Sequence, residues 1–314
     1  MRYGQNPIKS VEQIAPPAPV TVVVISYIPF LAGYYEEALD VFKLCLSSMR
    51  ASDEGAFDLL VFDNASCTEV RDYLLAEQAA NRIQYLTLSE RNLGKAGAWN
   101  IALAAAPGET IIYADSDVRF SPGWLQGHLD LFDRFPKVGM VTGMPILTPS
   151  KYSTATLDWA KQEKSAQTEE GALIPWEDFW RHARTLGDNE AEAREFYDAN
   201  PAVRLSYKGQ AAFIGAAHFE FAARKAVLQE VLPIPAEKPM GRVRLLDEAI
   251  NAAGYLRLNT PDWYVEHMGN SLPAESATHR AQAAAKRKSF WQRGLPRRIL
   301  QWIYNRTFRL LYRD

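Results

Sequence analysis

Residues 20–27 read VTVVVISY, a nearly unbroken run of β-branched side chains. A strand with one wet face alternates apolar and polar residues. A run that is apolar at every position is buried on both faces, which favours a parallel sheet covered by helices. The spacing that follows predicts repetition of that unit: a helix over 34–49, a strand over 57–63 (FDLLVFD), a helix over 69–80, a strand over 83–88, an Ala-rich helix over 94–106 and a strand over 109–114. Strands alternating with helices make a doubly wound sheet, and ligands of such sheets bind at the carboxyl ends of the strands. Tyr27, Asp63 and Asp115 all fall at expected carboxyl ends.

After Pro149 the pattern changes. Residues 151–200 are rich in Ala, Glu and Trp at helical spacing and read as a helical insertion or lid without a strong strand. Strand-like runs return at 211–215 and 255–258, with helices expected over 222–231 and 245–253. No apolar run approaches the length of a membrane span, and residues 1–19 read as a flexible, Pro-rich lead-in without a signal-peptide core, so cytoplasmic location is expected. Cys45 and Cys67 have neither a metal spacing nor a disulfide framework. From Arg280 to Asp314 there are ten Lys or Arg and one acid, which leaves 25 basic against 36 acidic residues in the body. The tail RRILQWIYNRTFRLLYRD reads as a basic amphipathic helix, suited either to peripheral contact with the anionic inner face of a membrane or to folding back on the acidic body. No nucleic-acid motif accompanies it, so no nucleic-acid partner is expected.

The stretch YADSDVRF, residues 113–120, ends a buried strand with two carboxylates. Residues i and i+2 of extended chain point the same way, so Asp115 and Asp117 can face one hard cation, Mn²⁺ or Mg²⁺, that also holds substrate phosphates. An isolated D-x-D serves equally as a turn in which an aspartate bonds its own backbone. Its surroundings favour the first reading. FDNAS, residues 62–66, places Asp63 and Asn64 at an earlier strand end, and RNLGKAGAWNIAL, residues 91–103, is a Gly-containing turn that opens a helix.

In that order, over about residues 20–145, these pieces resemble the nucleotide-sugar half of family-2 glycosyltransferases. The resemblance implies an α/β GT-A-like fold, a doubly wound mixed sheet flanked by helices. It implies an enzyme that moves a sugar, with inversion, from a nucleoside diphosphate donor, UDP the expected one, to a hydroxyl of a glycan or lipid-linked acceptor in cell-surface polysaccharide synthesis. It also implies roles. Ser26 and Tyr27 contact the base; Asp63 and Asn64 lie at the uracil or ribose; Asn92, Gly94 and Lys95 run under the nucleotide and its sugar. Asp115 and Asp117, with Ser116 between them, form the D-x-D, and His267 in WYVEHMGN completes the metal site. Asp247 and Glu248 in RLLDEAINAAGYLRL are the candidates for general base, although they stand closer to the Gly-Tyr than the family's acids usually do. His218, in GAAHFEF, either borders the acceptor or packs. The expected organisation is a lead-in (1–19), a nucleotide-sugar half (20–148), an insertion (149–205), an acceptor half (206–275) and the basic tail (276–314).

Three rivals are open to the same residues. A sugar nucleotidyltransferase usually carries a Gly-rich, basic cluster after its first strand, which SYIPFLAGYY lacks. An aspartyl phosphatase places its acids at the first strand rather than the fourth. A nucleotide-sugar-binding protein without turnover would share the donor side of the site.

Overall fold

The computed structural model describes residues 4, 6, 14–52, 57–237 and 242–272. These lie, Leu272 apart, in the first of the chain's two units, Met1–Ser271. The tail over 276–314 and most of the lead-in lie outside the described residues.

The strands are β1 (Val20–Ser26), β2 (Asp58–Asn64), β3 (Tyr85–Ser89), β4 (Thr110–Asp115), β5 (Val118–Phe120), β6 (Val138–Thr142), β7 (Ala166–Gly171), β8 (Ala202–Tyr207), β9 (Gln210–Ile214), β10 (Glu220–Arg224), β11 (Leu256–Asn259) and β12 (Val265–His267). The helices are α1 (Ala38–Ser52), α2 (Thr68–Ala79), α3 (Gly94–Ala105), α4 (Trp124–Arg134), α5 (Thr154–Gln162), α6 (Trp176–Ala183), α7 (Glu190–Ala199), α8 (Lys225–Val231) and α9 (Arg244–Ala252). Ten strands form one mixed sheet in the order β3-β2-β1-β4-β10-β6-β11-β9-β8-β7, and β12 pairs with β5 in a second, two-stranded sheet. β3, β2, β1 and β4 run parallel; β10 enters antiparallel between β4 and β6, and β11 lies parallel to β6.

The first strand explains its own composition. All seven of its residues are buried. Val23 and Ile25 pack with Leu60, Phe62, Tyr113, Trp99 of α3 and Ile250 of α9 in one core cluster, while Val22 and Val24, also enclosed, point to the opposite face. A smaller cluster, Ile174, Phe179, Ala183, Ala193 and Phe213 with Trp176 and Tyr197 against it, holds α6 and α7 together.

Two expectations differ from the fold. Residues 149–205 are not purely helical: β7 and β8 pair antiparallel within and beyond them. β7 reads AQTEEG, and its inner residues are exposed, so this edge strand has no apolar alternation to detect. The helix expected over 222–231 begins only at Lys225, because Glu220–Arg224 is β10, held between β4 and β6. FAARKA favours helix locally, and pairing on both sides overrides that preference.

Candidate functional site

At the carboxyl edge of β1 and β2 the polar side chains mostly hold one another. Asp63 is fully enclosed. One oxygen accepts from Ser26 Oγ at 3.2 Å, both lie 3.3 Å from Ser66 N, and Arg71 Nε reaches the other at 3.2 Å. Arg71 continues to Ser89 O and Glu90. Asn64 braces the turn before α3: its Oδ1 accepts from Leu93 N at 2.8 Å and its Nδ2 donates to Asn92 Oδ1 at 3.0 Å. Asn92 Oδ1 also accepts from Gly94 N at 2.8 Å. Gly94 has φ +70°, a left-handed turn that glycine takes without strain. Ser26 is as enclosed as Asp63, whereas Tyr27 is exposed and Asn92 faces solvent. Asp63, Asn64 and Ser26 are thus enclosed and engaged within the chain, while Tyr27 and Asn92 are exposed.

Across the edge, Lys95 Nζ meets Asp115 Oδ2 at 2.7 Å and lies over the rings of Trp99 and Tyr113. Tyr113 donates its hydroxyl to Asp115 Oδ1. Burial above all, and the carboxylate of Asp115 next, push that phenol well above its usual range, so it stays a donor. Burial, and then Asp117, likewise push the Cys45 thiol up, so no thiolate forms behind the pair.

Asp117 stands apart from Asp115. His267 Nε2 lies 3.3 Å from Asp117 Oδ2, and Asp117 Oδ1 is buried without a hydrogen-bond partner. Two backbone links set this approach: β12 pairs with β5 so that His267 sits opposite Val118, and Met268 N donates to Asp117 O at 2.8 Å. Thr185 Oγ1 lies 2.8 Å from His267 Nδ1 and donates to His182 O, so the turn after α6 fixes the ring. Burial lowers the basicity of His267, but Asp117 and then Asp115 outweigh it and the net shift is upward. His182, edge-on to His267 at 5.9 Å between ring centres, is held neutral by burial and then by His267, with its pKa lowered to about 3.

Ser116, half-buried, stands between the two aspartates. The structure thus brings Asp117 and His267 together as expected, but turns both oxygens of Asp115 to Lys95 and Tyr113. Among the described residues no group of three or more His, Cys, Asp or Glu is arranged around a common metal position. Asp117 with His267 nonetheless fits a two-ligand corner for a divalent cation: one unpartnered buried carboxylate oxygen beside an imidazole nitrogen, with the remaining positions left to phosphate oxygens.

The third group lies at the start of α9. Asp247 is 3% exposed. Its Oδ1 is 2.9 Å from Nη2 of the fully buried Arg257, and its Oδ2 is 3.0 Å from His218 Nδ1. Glu248 points to solvent on the same helix. Arg257 also donates to Tyr152 O at 2.6 Å and Ala216 O at 2.8 Å. Thr185, His182, Arg71 and Arg257 are absent from the sequence expectations. Arg257 carried the one usable signal, a charge inside the apolar strand LRLN, which must find an acid.

Residues 33–180 match the family model described as Glycosyl transferase family 2. That segment, just under half of the chain, is similar to family-2 glycosyltransferase domains. An uncharacterized glycosyltransferase of Nostoc sp. is 27% identical over 131 residues, 41% of this chain and 39% of its own length. Likeness in three dimensions covers more of the chain. The structure of GalNAc-T7 with UDP, GalNAc and Mn²⁺ superposes at a TM-score of 0.51 with 13% identity, over 80% of this chain and 44% of that one. The mannosyltransferase PcManGT from Pyrobaculum calidifontis, in complex with GDP-Man and Mn²⁺, gives a TM-score of 0.47 with 17% identity, over 95% of this chain and 74% of that one. The chain therefore spans well under half the length of the curated relative it matches. The fold is that of the GT-A glycosyltransferases, a large mixed sheet flanked by helices. Among the described residues no helix is long and apolar enough to cross a membrane.

Proposed function

We propose that the protein is a metal-dependent, inverting glycosyltransferase that takes a sugar from a nucleoside diphosphate donor, UDP being the favoured nucleotide. The acceptor is a hydroxyl of a glycan or lipid-linked saccharide in cell-surface polysaccharide synthesis, and the work is done on the cytoplasmic side of a membrane, with the basic tail as the peripheral contact. The structural neighbour GalNAc-T7, crystallised with UDP, GalNAc and Mn²⁺, supports the donor class and the metal class.

The observation that carries the reading is the carboxyl-edge meeting of Asp117 and His267, beside the Lys95–Asp115 pair. Asp117 and His267 would hold Mn²⁺ or Mg²⁺, which offsets the negative charge of a departing nucleoside diphosphate. Thr185 keeps His267 oriented toward Asp117. Asp115, by holding Lys95, fixes a cation next to where diphosphate oxygens would lie. Tyr27 offers an exposed ring to the base, and Asn92 and the Gly94 turn lie beneath the nucleotide. Asp63 acts by positioning Arg71 and the Ser66 turn under that edge. The acceptor hydroxyl enters from the Asp247 side and must lose its proton there.

Incubation with UDP-glucose, UDP-GlcNAc, UDP-GalNAc and GDP-mannose, with and without Mn²⁺, tests the reading by release of free nucleotide. Metal-dependent release from one donor by the wild type, lost in Asp117→Asn, is expected. Tight binding of a donor with no release under any condition would favour the binding protein without turnover.

A further inference from the structure

Asp247 is poorly placed to take a proton from a hydroxyl itself. It is 3% exposed, and its two oxygens already face Arg257 and His218. His218 is the member of this group that reaches solvent, with 31% of its side chain exposed. The backbone before and after it is held by hydrogen bonds. Gly215 N donates to Arg257 O at 3.0 Å, Ala217 N to Thr142 Oγ1 at 2.8 Å, and Asp115 N to Phe219 O at 2.8 Å. Gly215 adopts φ +137°, and a Cβ there would stand 2.2 Å from Thr148 Oγ1, so only glycine opens this loop without displacing its neighbour. Through Phe219 the loop is bonded to the first aspartate of the D-x-D. His218 therefore stands at the edge of the reacting site on a rigid support.

We infer that His218 is the general base of the transfer and that Asp247, locked by Arg257, is its positioning residue; this rests on the glycosyl-transfer reading above. A carboxylate only accepts, so the imidazole nitrogen facing it, Nδ1, carries the ring proton and Nε2 keeps its lone pair. Nε2 takes the proton of the acceptor hydroxyl. The hydroxyl oxygen forms the new bond to the anomeric carbon, the bond from that carbon to the diphosphate oxygen breaks, and its electron pair leaves with the nucleotide. Asp247 balances the imidazolium until the proton passes to solvent. The Asp247–His218 and Asp247–Arg257 contacts are close in distance but bent in angle, as catalytic pairs often are before substrate aligns them.

Nucleotide release from the four donors above, with water as acceptor, reads the base in wild type, His218→Ala, Asp247→Asn and Glu248→Gln. His218→Ala is expected to lose about a hundredfold or more in kcat, to keep its UDP or GDP affinity, and to regain part of the rate with added imidazole. Rate retained in His218→Ala, or lost in Glu248→Gln instead, would overturn the assignment. Imidazole nitrogen NMR of the wild type, assigned with His218→Gln, reads the pair with no donor present. A His218 protonated on Nδ1 alone at neutral pH, with that proton signal lost in Asp247→Asn, supports the pair; protonation on Nε2 alone overturns it. A wild type that releases nucleotide from none of the donors counts against glycosyl transfer, and the pairing then stands or falls on the spectrum.

Discussion

On the reading proposed above, the donor edge and the acceptor edge of this site are built in different ways. At the donor edge, Asp63, Ser66 and Arg71 lie within one strand end and the helix after it, and Asn64 reaches only to the turn at 92–94. Most of these bonds are hydrogen bonds to backbone. Around the cation corner and the acceptor edge both partners of each contact are ionisable: Asp117 with His267, His218 with Asp247, Asp247 with Arg257, and His182 behind His267. The family match, which ends at residue 180, covers most of the first edge and none of the strands or helix that complete the second. Buried charges cost much unless paired: the donor edge encloses one, Asp63 on the half-buried Arg71, whereas the acceptor edge encloses both Asp247 and Arg257 and so concentrates the energetic risk.

That contrast can be broken by substitution. Asp247→Ala leaves Arg257 buried, still bonded to carbonyls but without its carboxylate, and should cost about 3–5 kcal/mol in urea unfolding. A loss below about 1 kcal/mol would mean that Arg257 is satisfied by the Tyr152 and Ala216 carbonyls alone. The acid limb of stability comes next. Burial and then His267 depress the folded pKa of His182 to about 3, so its contribution is present above the ordinary histidine value and is lost as pH falls toward 3. Between pH 7 and pH 4.5 this amounts to about 2–3 kcal/mol, and His182→Leu should remove that part of the slope from denaturant titrations at the two pH values. An unchanged slope would place His182 outside the energetic account of the acceptor edge. At the donor edge, Asn64→Ala should cost about 1–2 kcal/mol by orphaning Leu93 N and loosening the turn before α3. If Asn64→Ala proved more damaging than Asp247→Ala, the comparison would be inverted.

The same contrast governs how much could be read in advance. VTVVVISY announces β1 because every position is buried, and the D-x-D and FDNAS are visible because strand ends carry their own residues. β7 was illegible because AQTEEG is a polar edge strand, and β10 because FAARKA favours helix until β4 and β6 flank it. Asp63 and Asn64 stand at the end of β2, yet nothing local shows that their oxygens and amide are engaged by Arg71 and the 92–94 turn. Asp115 and Asp117 sit two residues apart, but the separate pull of Lys95 and of His267 turns them to different partners. Thr185 and His182 reach the site through long-range pairing, of which sequence spacing carries no trace, whereas Arg257 leaves a sign as a charge inside an apolar strand.

The most direct test of the central claim is calorimetric titration of UDP, and then GDP, with and without Mn²⁺, on the wild type and on Asp117→Ala. The account predicts that one nucleotide binds the wild type in a metal-dependent way and that Asp117→Ala loses that binding while keeping its fold. Binding of neither nucleotide to the wild type, with or without metal, or full metal-dependent binding to Asp117→Ala, would contradict it.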